Sequence, residues 1–351
     1  MNENARKPGL LLAGRFAPAE LIRIVRTAED CDFGQIWFAD ERFYRDVYAQ
    51  LTFIAASTTR IDLGTCVTDP YSRHPALTAV AIATLDEISG GRAILGIGAG
   101  LSGFEEMNVD RRKPVVAMRE MIDLIRKLLN GGTVDYQGEI VSFREGHLHF
   151  QPMRTDIPVY IASNGPLGQK LAARVAQGAI MEACGSVQEA GAFVERIREA
   201  AVAAKRRPSD VQCIARLNFS VSADGKRARD ALRARVAHNL VGGSMSLATE
   251  DPELALPPEA VEKVAGIPYS AGIGPYEALA PFVTDKMVDA VALGGTAAEI
   301  VDHIVALRRC GIDNIIISPN PAQGETIESN IQVFAKDIWP AVEARLRTQA
   351  A

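Results

Sequence analysis

Cysteine, histidine and long apolar runs are all scarce in this sequence. Its 351 residues include five cysteines, and no two of them form a C-x-x-C pair. This scatter argues against disulfides and structural zinc. The five histidines include two on one predicted strand, His147 and His149, but no third ligand lies near them in the sequence. We therefore predict no metal site.

Signals for export, membrane insertion and nucleic-acid binding are also lacking. The N-terminal stretch MNENARKPG has no apolar core of a signal peptide, and no apolar run reaches the roughly 18 residues of a membrane span. The net charge is −5 and there is no run of lysine and arginine, which argues against a nucleic-acid partner. We expect a cytoplasmic protein that partners neither a membrane nor a nucleic acid.

A strand–helix–strand unit between residues 61 and 103 organises the chain. Two β-branched runs, 61–67 and 93–97, flank an apolar helical pattern over 76–88, which predicts two parallel strands joined by a crossover helix. A polar cluster, 68–74, follows the first strand, and a glycine-rich loop, 98–103, follows the second. Because α/β folds bind ligands at the carboxyl ends of their strands, we expect the site there.

Strand and helix patterns alternate along the whole chain. The predicted strands are 9–13, 35–39, 61–67, 93–97, 158–162, 179–182, 211–221 and 314–318. The predicted helices are 18–31, 48–57, 76–88, 115–129, 167–176, 189–205, 224–240, 296–309 and 326–342. This inventory predicts a (β/α)₈ TIM barrel, since a doubly wound sheet would more often have fewer strands and an early glycine-rich turn. We expect one domain, 1–351, with an inserted hairpin at about 133–150 and an insertion of short helices at about 241–289.

The loop Gly98–Gly103 matches the pattern G-x-G-x-x-G, but its context differs from that of a dinucleotide-binding turn. It follows the fourth strand instead of the first, and Asp123, the acidic residue about 20 positions on, falls within a predicted helix. Either the glycines allow a flat or phosphorylated ligand to approach the backbone, or they only allow a tight loop.

Three further segments lie at predicted strand ends. Ser163–Gly168 follows the fifth strand and opens a helix, and Gly185 with Ser186 follows the sixth. Two adjacent helix N-termini at the barrel mouth would hold a phosphate group, although ordinary helix capping explains the same residues. Asp40 and Glu41 directly follow the second strand, so they either reach the mouth or form a solvated turn.

Several runs resemble one family over nearly the whole chain. They are WFADERFYRDVYAQLTFIAASTT, LGTCVTDPYSRHP, DEISGGRAILGIGAG, PVYIASNGPLGQKLA and LGGTAAEIVDHIVALRRCGIDNIII. They are similar to the luciferase-like monooxygenase superfamily, and within it most resemble the methylenetetrahydromethanopterin reductases that use coenzyme F420. The run 64–75 is long and specific to the family.

The resemblance implies a barrel that binds F420, or alternatively FMN, at its C-terminal mouth. It implies a cis peptide between Cys66 and Val67 that supports the cofactor ring, with Asp40 facing the ring, Thr68 beside the bulge and Gly98 in the glycine-rich loop. The residues that would cradle the phosphate are Ala162, Ser163, Asn164 and Gly165. It also implies a homodimer, and helices 48–57 and 76–88 are apolar on more faces than a barrel exterior needs.

The sequence departs from the reductase pattern at two acidic positions. Arg15 stands where the reductases carry a glutamate near the end of the first strand, and Leu101 stands where they carry an aspartate. Related dehydrogenases have Asp-His where this chain has Asp40 and Glu41. The resemblance therefore implies a retained cofactor site with altered substrate chemistry.

Three functions are compatible with these features. We expect an F420-dependent oxidoreductase that transfers a hydride between the deazaflavin and a small organic substrate, with Asp40 and Glu41 as candidate catalytic residues. The first alternative is an FMN-dependent monooxygenase that receives reduced flavin from a separate flavin reductase and activates oxygen. The second is a cofactor-binding protein without catalysis, because the two departures remove proton-handling carboxylates.

Overall fold

The computed structural model describes residues 3–242, 251–268 and 271–348, and its central element is a parallel β-barrel. The strands are β1 Gly9–Leu12, β2 Gln35–Phe38, β3 Asp62–Thr65, β4 Ala93–Ile97, β5 Val134–Gln137, β6 Ser142–Gly146, β7 Val159–Ala162, β8 Gly178–Glu182, β9 Gln212–Val221, β10 Ala292–Gly295 and β11 Asn314–Pro319. Eight of these strands from the described residues close the barrel in the order β1-β2-β3-β4-β7-β8-β9-β11, and β11 pairs back onto β1. The predicted (β/α)₈ barrel is confirmed.

The barrel interior is filled with side chains. Successive residues of a strand point to opposite faces, so Leu11 points inward while Leu10 and Leu12 face the surrounding helices. Trp37 packs edge-to-face against Tyr160 in the interior, with ring centroids 5.3 Å apart. Both faces of the barrel strands are therefore largely buried, which is why most of their residues are apolar.

Helices cover the outside of the barrel between the strands. The α-helices of the described residues, including those of the second insertion, are α1 Pro18–Asp30, α2 Val47–Ala55, α3 Pro75–Ser89, α4 Pro114–Leu129, α5 Pro166–Val175, α6 Val187–Ala203, α7 Gly225–Val241, α8 Pro258–Val261, α9 Asp285–Val291, α10 Ala297–Arg309, α11 Ile327–Val333 and α12 Trp339–Arg347. Several begin with proline, whose fixed φ and missing N–H suit the first helical position. Within the described residues, no helix is long and apolar enough to cross a membrane.

Two predictions about regular elements need correction. The strand β10 was not predicted. It pairs with the C-terminal part of β9, on the same side of β9 that pairs with β8 nearer its N-terminus. The closing helix, predicted as 326–342, is α11 followed by a π-helical segment, Phe334–Ile338, and then α12. A π segment inserts an extra residue in one turn, and the apolar periodicity does not reveal it.

Both predicted insertions are present. β5 and β6 pair antiparallel, which confirms the hairpin. In the second insertion the described residues form short helical segments: Pro252–Leu254, α8, Glu262–Val264, Gly274–Phe282 and α9. These pack with α7 around a separate apolar cluster that includes Leu232, Val236 and Leu279. Residues 243–250 and 269–270 of this insertion lie outside the described residues.

Candidate cofactor and active site

A cavity of about 300 Å³ opens at the carboxyl ends of the barrel strands. Most of the residues proposed from the sequence line it: Asp40, Glu41, Cys66, Val67, Gly98, Ala162, Ser163 and Asn164. They come from the ends of β2, β3, β4 and β7. The loops that follow parallel strands thus meet at one end of the barrel, where TIM-barrel enzymes place their active sites.

The base of the cavity is built where the β3 and β4 loops cross. The peptide bond between Cys66 and Val67 is cis, as the sequence resemblance implies. A Cβ added to Gly98 would lie 2.4 Å from Cγ2 of Val67, so only glycine allows the two segments this close. The Gly98 N–H donates to the Thr68 carbonyl at 2.9 Å, which ties the loops together. Burial raises the pKa of the Cys66 thiol to about 12, so this side chain is uncharged at neutral pH.

The carboxyl group of Asp40 lines this cavity and is held in place by a hydrogen bond from a buried side chain. Oγ1 of Thr68 donates to Oδ2 of Asp40 at 2.8 Å, and Nη1 of Arg42 donates to the Asp40 backbone carbonyl at 2.9 Å. Burial raises the pKa of Asp40, although the Thr68 hydrogen bond and the charge of Arg42 partly oppose that rise. Thr68 is fully buried behind Asp40 and does not line the cavity. A buried carboxyl with a raised pKa suits proton transfer.

Sequence reasoning missed the ion pair of Arg42 with Asp69, which supports this wall. Nη2 of Arg42 donates to Oδ2 of Asp69, a fully buried carboxylate. Asp69 also accepts from the Ser72 backbone N–H at 2.8 Å and from the Ser72 hydroxyl at 2.6 Å. The Arg42 guanidinium lies 4.5 Å from the centroid of the Phe104 ring. Arg42 therefore joins the loops that follow β2, β3 and β4.

The opposite wall contains a second ion pair that the sequence analysis did not single out. Nη1 of Arg216, on β9, donates to Oε1 of Glu182, at the end of β8, at 2.8 Å. The side-chain amide of Asn164 bonds both the N–H and the carbonyl of Glu182, at 2.9 and 3.1 Å. Asn164 therefore reaches the cavity, but its amide fastens β7 to β8.

Gly165 lies at the N-terminus of α5 with open space before it. Its backbone is extended, with φ −86° and ψ 147°, so its conformation does not require glycine. An added Cβ would meet only Oγ of Ser163, at 3.9 Å. The position is not among the cavity-lining residues, yet it borders Ser163 and Asn164, which are. A helix N-terminus with free space before it can accept an anionic group.

Gly185 is not brought to this cavity. It lines a separate surface groove, and its N–H donates to the Ala290 carbonyl at 2.9 Å, as does the N–H of Ser186 at 3.1 Å. A Cβ on Gly185 would lie 2.2 Å from the Asp289 carbonyl oxygen, so close packing accounts for the glycine. The assignment of Gly185 to the cofactor site is therefore corrected: its N–H is already used within the protein.

Comparison with known proteins gives consistent matches over most of the chain. A family model described as luciferase-like monooxygenase matches residues 4–314. A 5,10-methylenetetrahydromethanopterin reductase from Archaeoglobus fulgidus is 36% identical, over 92% of this chain and 96% of that protein. An F420-dependent glucose-6-phosphate dehydrogenase from Amycolatopsis mediterranei is 28% identical, over 95% and 97%. The solved structure of a coenzyme F420 dependent tetrahydromethanopterin reductase from Methanopyrus kandleri has a TM-score of 0.85 and 28% identity, over 95% and 98%.

Proposed function

This chain belongs to the luciferase-like monooxygenase family, and we propose that it is an F420-dependent oxidoreductase, which transfers a hydride between the deazaflavin and a small organic substrate. One observation carries the proposal: Cys66 and Val67, Gly98 and the segment 162–164 line a single cavity at the barrel mouth. The chain aligns along nearly its full length with proteins described as F420-dependent.

The residues present fit a deazaflavin, a flat ring system with a phosphorylated side chain. Ala39, Cys66, Val67 and Ile180 offer uncharged surface to the ring. The open space before Gly165, at the N-terminus of α5, suits the phosphate. When bound, this cofactor supplies the hydride chemistry.

The protein's own part in the reaction is to orient the partners and to handle a proton. We assign the proton to Asp40, because burial raises its pKa and Thr68 fixes its carboxyl group. Glu41 lines the same cavity and is the second candidate. The ion pair of Arg42 with Asp69 holds the loops of this wall together, so the carboxyl group of Asp40 is positioned before the substrate arrives.

Oxygen dependence tests the proposal. Reduced F420 should be oxidised by the protein without oxygen when a suitable carbonyl or imine substrate is added, because hydride transfer needs no oxygen. An FMN-dependent monooxygenase would instead form product only with reduced FMN and oxygen, and that result would overturn the proposal. A protein that binds F420 but fails to turn over a broad substrate panel would point to binding without catalysis.

Removing the Thr68 hydroxyl should move the pH profile of turnover. The Thr68 hydrogen bond stabilises ionised Asp40 and so lowers its pKa; in Thr68→Val the pKa should rise. If protonated Asp40 is the active form, activity falls as pH rises through this pKa, and the falling limb should move to higher pH. Thr78→Val is the matched control, since the buried Thr78 hydroxyl has no hydrogen-bond partner among the described residues. An unmoved limb in Thr68→Val would show that another group titrates.

Gly165→Val should weaken F420 binding while the fold is kept. The backbone conformation at Gly165 is one that valine adopts readily, but its side chain would fill the space proposed for the phosphate. Loss of charge-assisted hydrogen bonds predicts about a tenfold to hundredfold rise in Kd. Gly274→Val serves as the control. Gly274 does not line the cofactor cavity, and an added Cβ there would meet no atom within 4 Å. Unchanged affinity in a folded Gly165→Val protein would remove this segment from the site.

We further propose a homodimer that pairs through the adjoining helices α2 and α3. Their solvent-facing sides carry Phe53, Leu77, Val80 and Ile88, each at least 40% exposed. Exposed apolar side chains on adjoining helices are typical of a protein interface. Light scattering at micromolar concentration should give twice the mass of the chain, and a Leu77→Glu/Val80→Glu double variant should give the monomer mass. A monomer mass for the wild-type protein would contradict the proposal.

A further inference from the structure

A second, smaller cavity of about 210 Å³ adjoins the proposed cofactor cavity. The two share a wall formed by Ala39, Glu41, Arg42, Ser102, Arg216 and Arg235. The smaller cavity extends from this wall toward the loop that follows β1 and toward Gly272 and Ile273 of the second insertion. A molecule in it would therefore lie directly beside a ring bound in the larger cavity.

The smaller cavity is lined by far more positive than negative side chains. Among the described residues, the charged side chains around it are those of Arg15, Arg42, Arg216 and Arg235 and one carboxylate, Glu41. The positive charge of two of these arginines is balanced by an ion pair: Arg42 pairs with Asp69, and Arg216 pairs with Glu182. Of the four arginines, Arg15 is exposed, whereas Arg42, Arg216 and Arg235 are half-buried, so Arg15 presents its charge at the rim of this cavity.

Arg15 is held at the rim by its own loop. Its backbone N–H donates to the Ala13 carbonyl at 2.9 Å, in the turn that follows β1. The guanidinium carbon lies 5.5 Å from the centroid of the Phe16 ring. Within the described parts of the chain Arg15 forms no ion pair, and its side chain is exposed. A guanidinium with a packed stem and open donors matches the planar geometry of a carboxylate or phosphate.

We propose that this smaller cavity binds an anionic group of the substrate, a carboxylate or a phosphate, and that Arg15 is the residue that selects for it. The inference rests on the proposed function, since it identifies the molecule beside the cofactor as the hydride partner. It goes further by naming the substrate class: a small anionic carbonyl or imine compound. Glu41, on the shared wall, disfavours a second negative group close to the ring by like-charge repulsion.

Calorimetric titration of the F420-free protein tests this subsite without turnover. The probes are malonate for the carboxylate class, inorganic phosphate for the phosphate class, and malonamide as the neutral counterpart of malonate. We expect at least one anion to bind and malonamide not to bind. Arg15→Glu and Arg15→Gln should each weaken the anion at least about tenfold, while Arg15→Lys should retain part of the affinity, because it keeps the charge but not the planar fork.

The control variant is Arg26→Glu, which makes the same charge change on an exposed face of α1 away from both cavities. Whichever anion binds more tightly identifies the class. Equal anion affinity in wild-type and Arg15→Glu proteins, or equal binding of malonate and malonamide, would overturn the inference, as would a wild-type protein that binds neither anion. F420 affinity of the wild-type protein, measured separately, decides the proposed function on its own, so the two failures are distinguishable.

Discussion

Replacing Asp40 with asparagine should lower kcat/KM by about 10²–10⁴-fold, the usual contribution of a positioned proton-transfer group. Asparagine has nearly the same shape as aspartate and can still accept the hydrogen bond from Thr68, so the wall of the cavity should keep its form. What is lost is a carboxyl group that can exchange a proton and whose pKa is raised by burial. F420 affinity should change little, because the base of the cavity and the segment before α5 remain intact.

Steady-state kinetics on three proteins would check this expectation: wild type, Asp40→Asn and Glu41→Gln. If Asp40 handles the proton, Glu41→Gln should cost much less than Asp40→Asn. Full activity in Asp40→Asn would exclude it as the proton-transfer group. A large loss confined to Glu41→Gln would transfer that role to Glu41, the neighbouring carboxylate that lines both cavities.

Methylenetetrahydromethanopterin should be a poor substrate, turned over about 10²–10⁴-fold more slowly than by the Archaeoglobus fulgidus reductase assayed beside it. The resemblance places a glutamate and an aspartate of the reductases at the positions of Arg15 and Leu101. Arg15 lines the smaller cavity and Leu101 the larger one, so neither position supplies a proton here. Among the described residues, the carboxyl groups that line the two cavities are those of Asp40, Glu41 and Glu182, and Glu182 is paired with Arg216.

The double variant Arg15→Glu/Leu101→Asp gives the complementary test. Introducing both carboxyl groups should raise turnover of the pterin. Leu101→Asn should not, because it adds a polar side chain that is not an acid. Turnover by the wild-type protein at the level of the reductase would contradict the expectation. It would mean that Glu41 or Asp40 already supplies the proton to the pterin.

The barrel was predictable from the sequence because its strands are buried on both faces and most of their residues are therefore apolar. The eight predicted strands all correspond to barrel strands, with ends displaced by a few residues. The strand β10 escaped prediction since its sequence, ALGG, is short and half glycine, and nothing local distinguishes it from a loop. The assignment of the whole chain to one domain stays a prediction.

The candidate site was predictable only where a residue directly follows a strand. Asp40, Val67 and Gly98 lie at such positions, and the structure brings them to one cavity. The Arg42–Asp69 and Glu182–Arg216 pairs join residues that are distant in sequence, so spacing does not reveal them. One signal was available: Arg216 is the single charged residue in the strand QCIARLNFSV, and an arginine inside a barrel strand indicates a polar site.

Gly185 shows why a local pattern can mislead. Like the segment before α5, it precedes a helix and follows a barrel strand, so the sequence gives both segments the same appearance. The N–H groups of Gly185 and Ser186 both donate to the carbonyl of Ala290, more than a hundred residues later, whereas within the described residues the Gly165 N–H donates only to the neighbouring Ser163 hydroxyl, at 3.3 Å. Tertiary contacts decide which helix N-terminus remains available to a ligand.

The most direct test of the central claim is the affinity of the purified, cofactor-free protein for F420 and for FMN, measured by fluorescence titration under identical conditions. Family membership allows either cofactor, whereas the proposed function requires the deazaflavin. We predict that F420 binds at least about tenfold more tightly than FMN, a difference of about 1.4 kcal/mol. Tighter binding of FMN, or no binding of F420, would contradict the account.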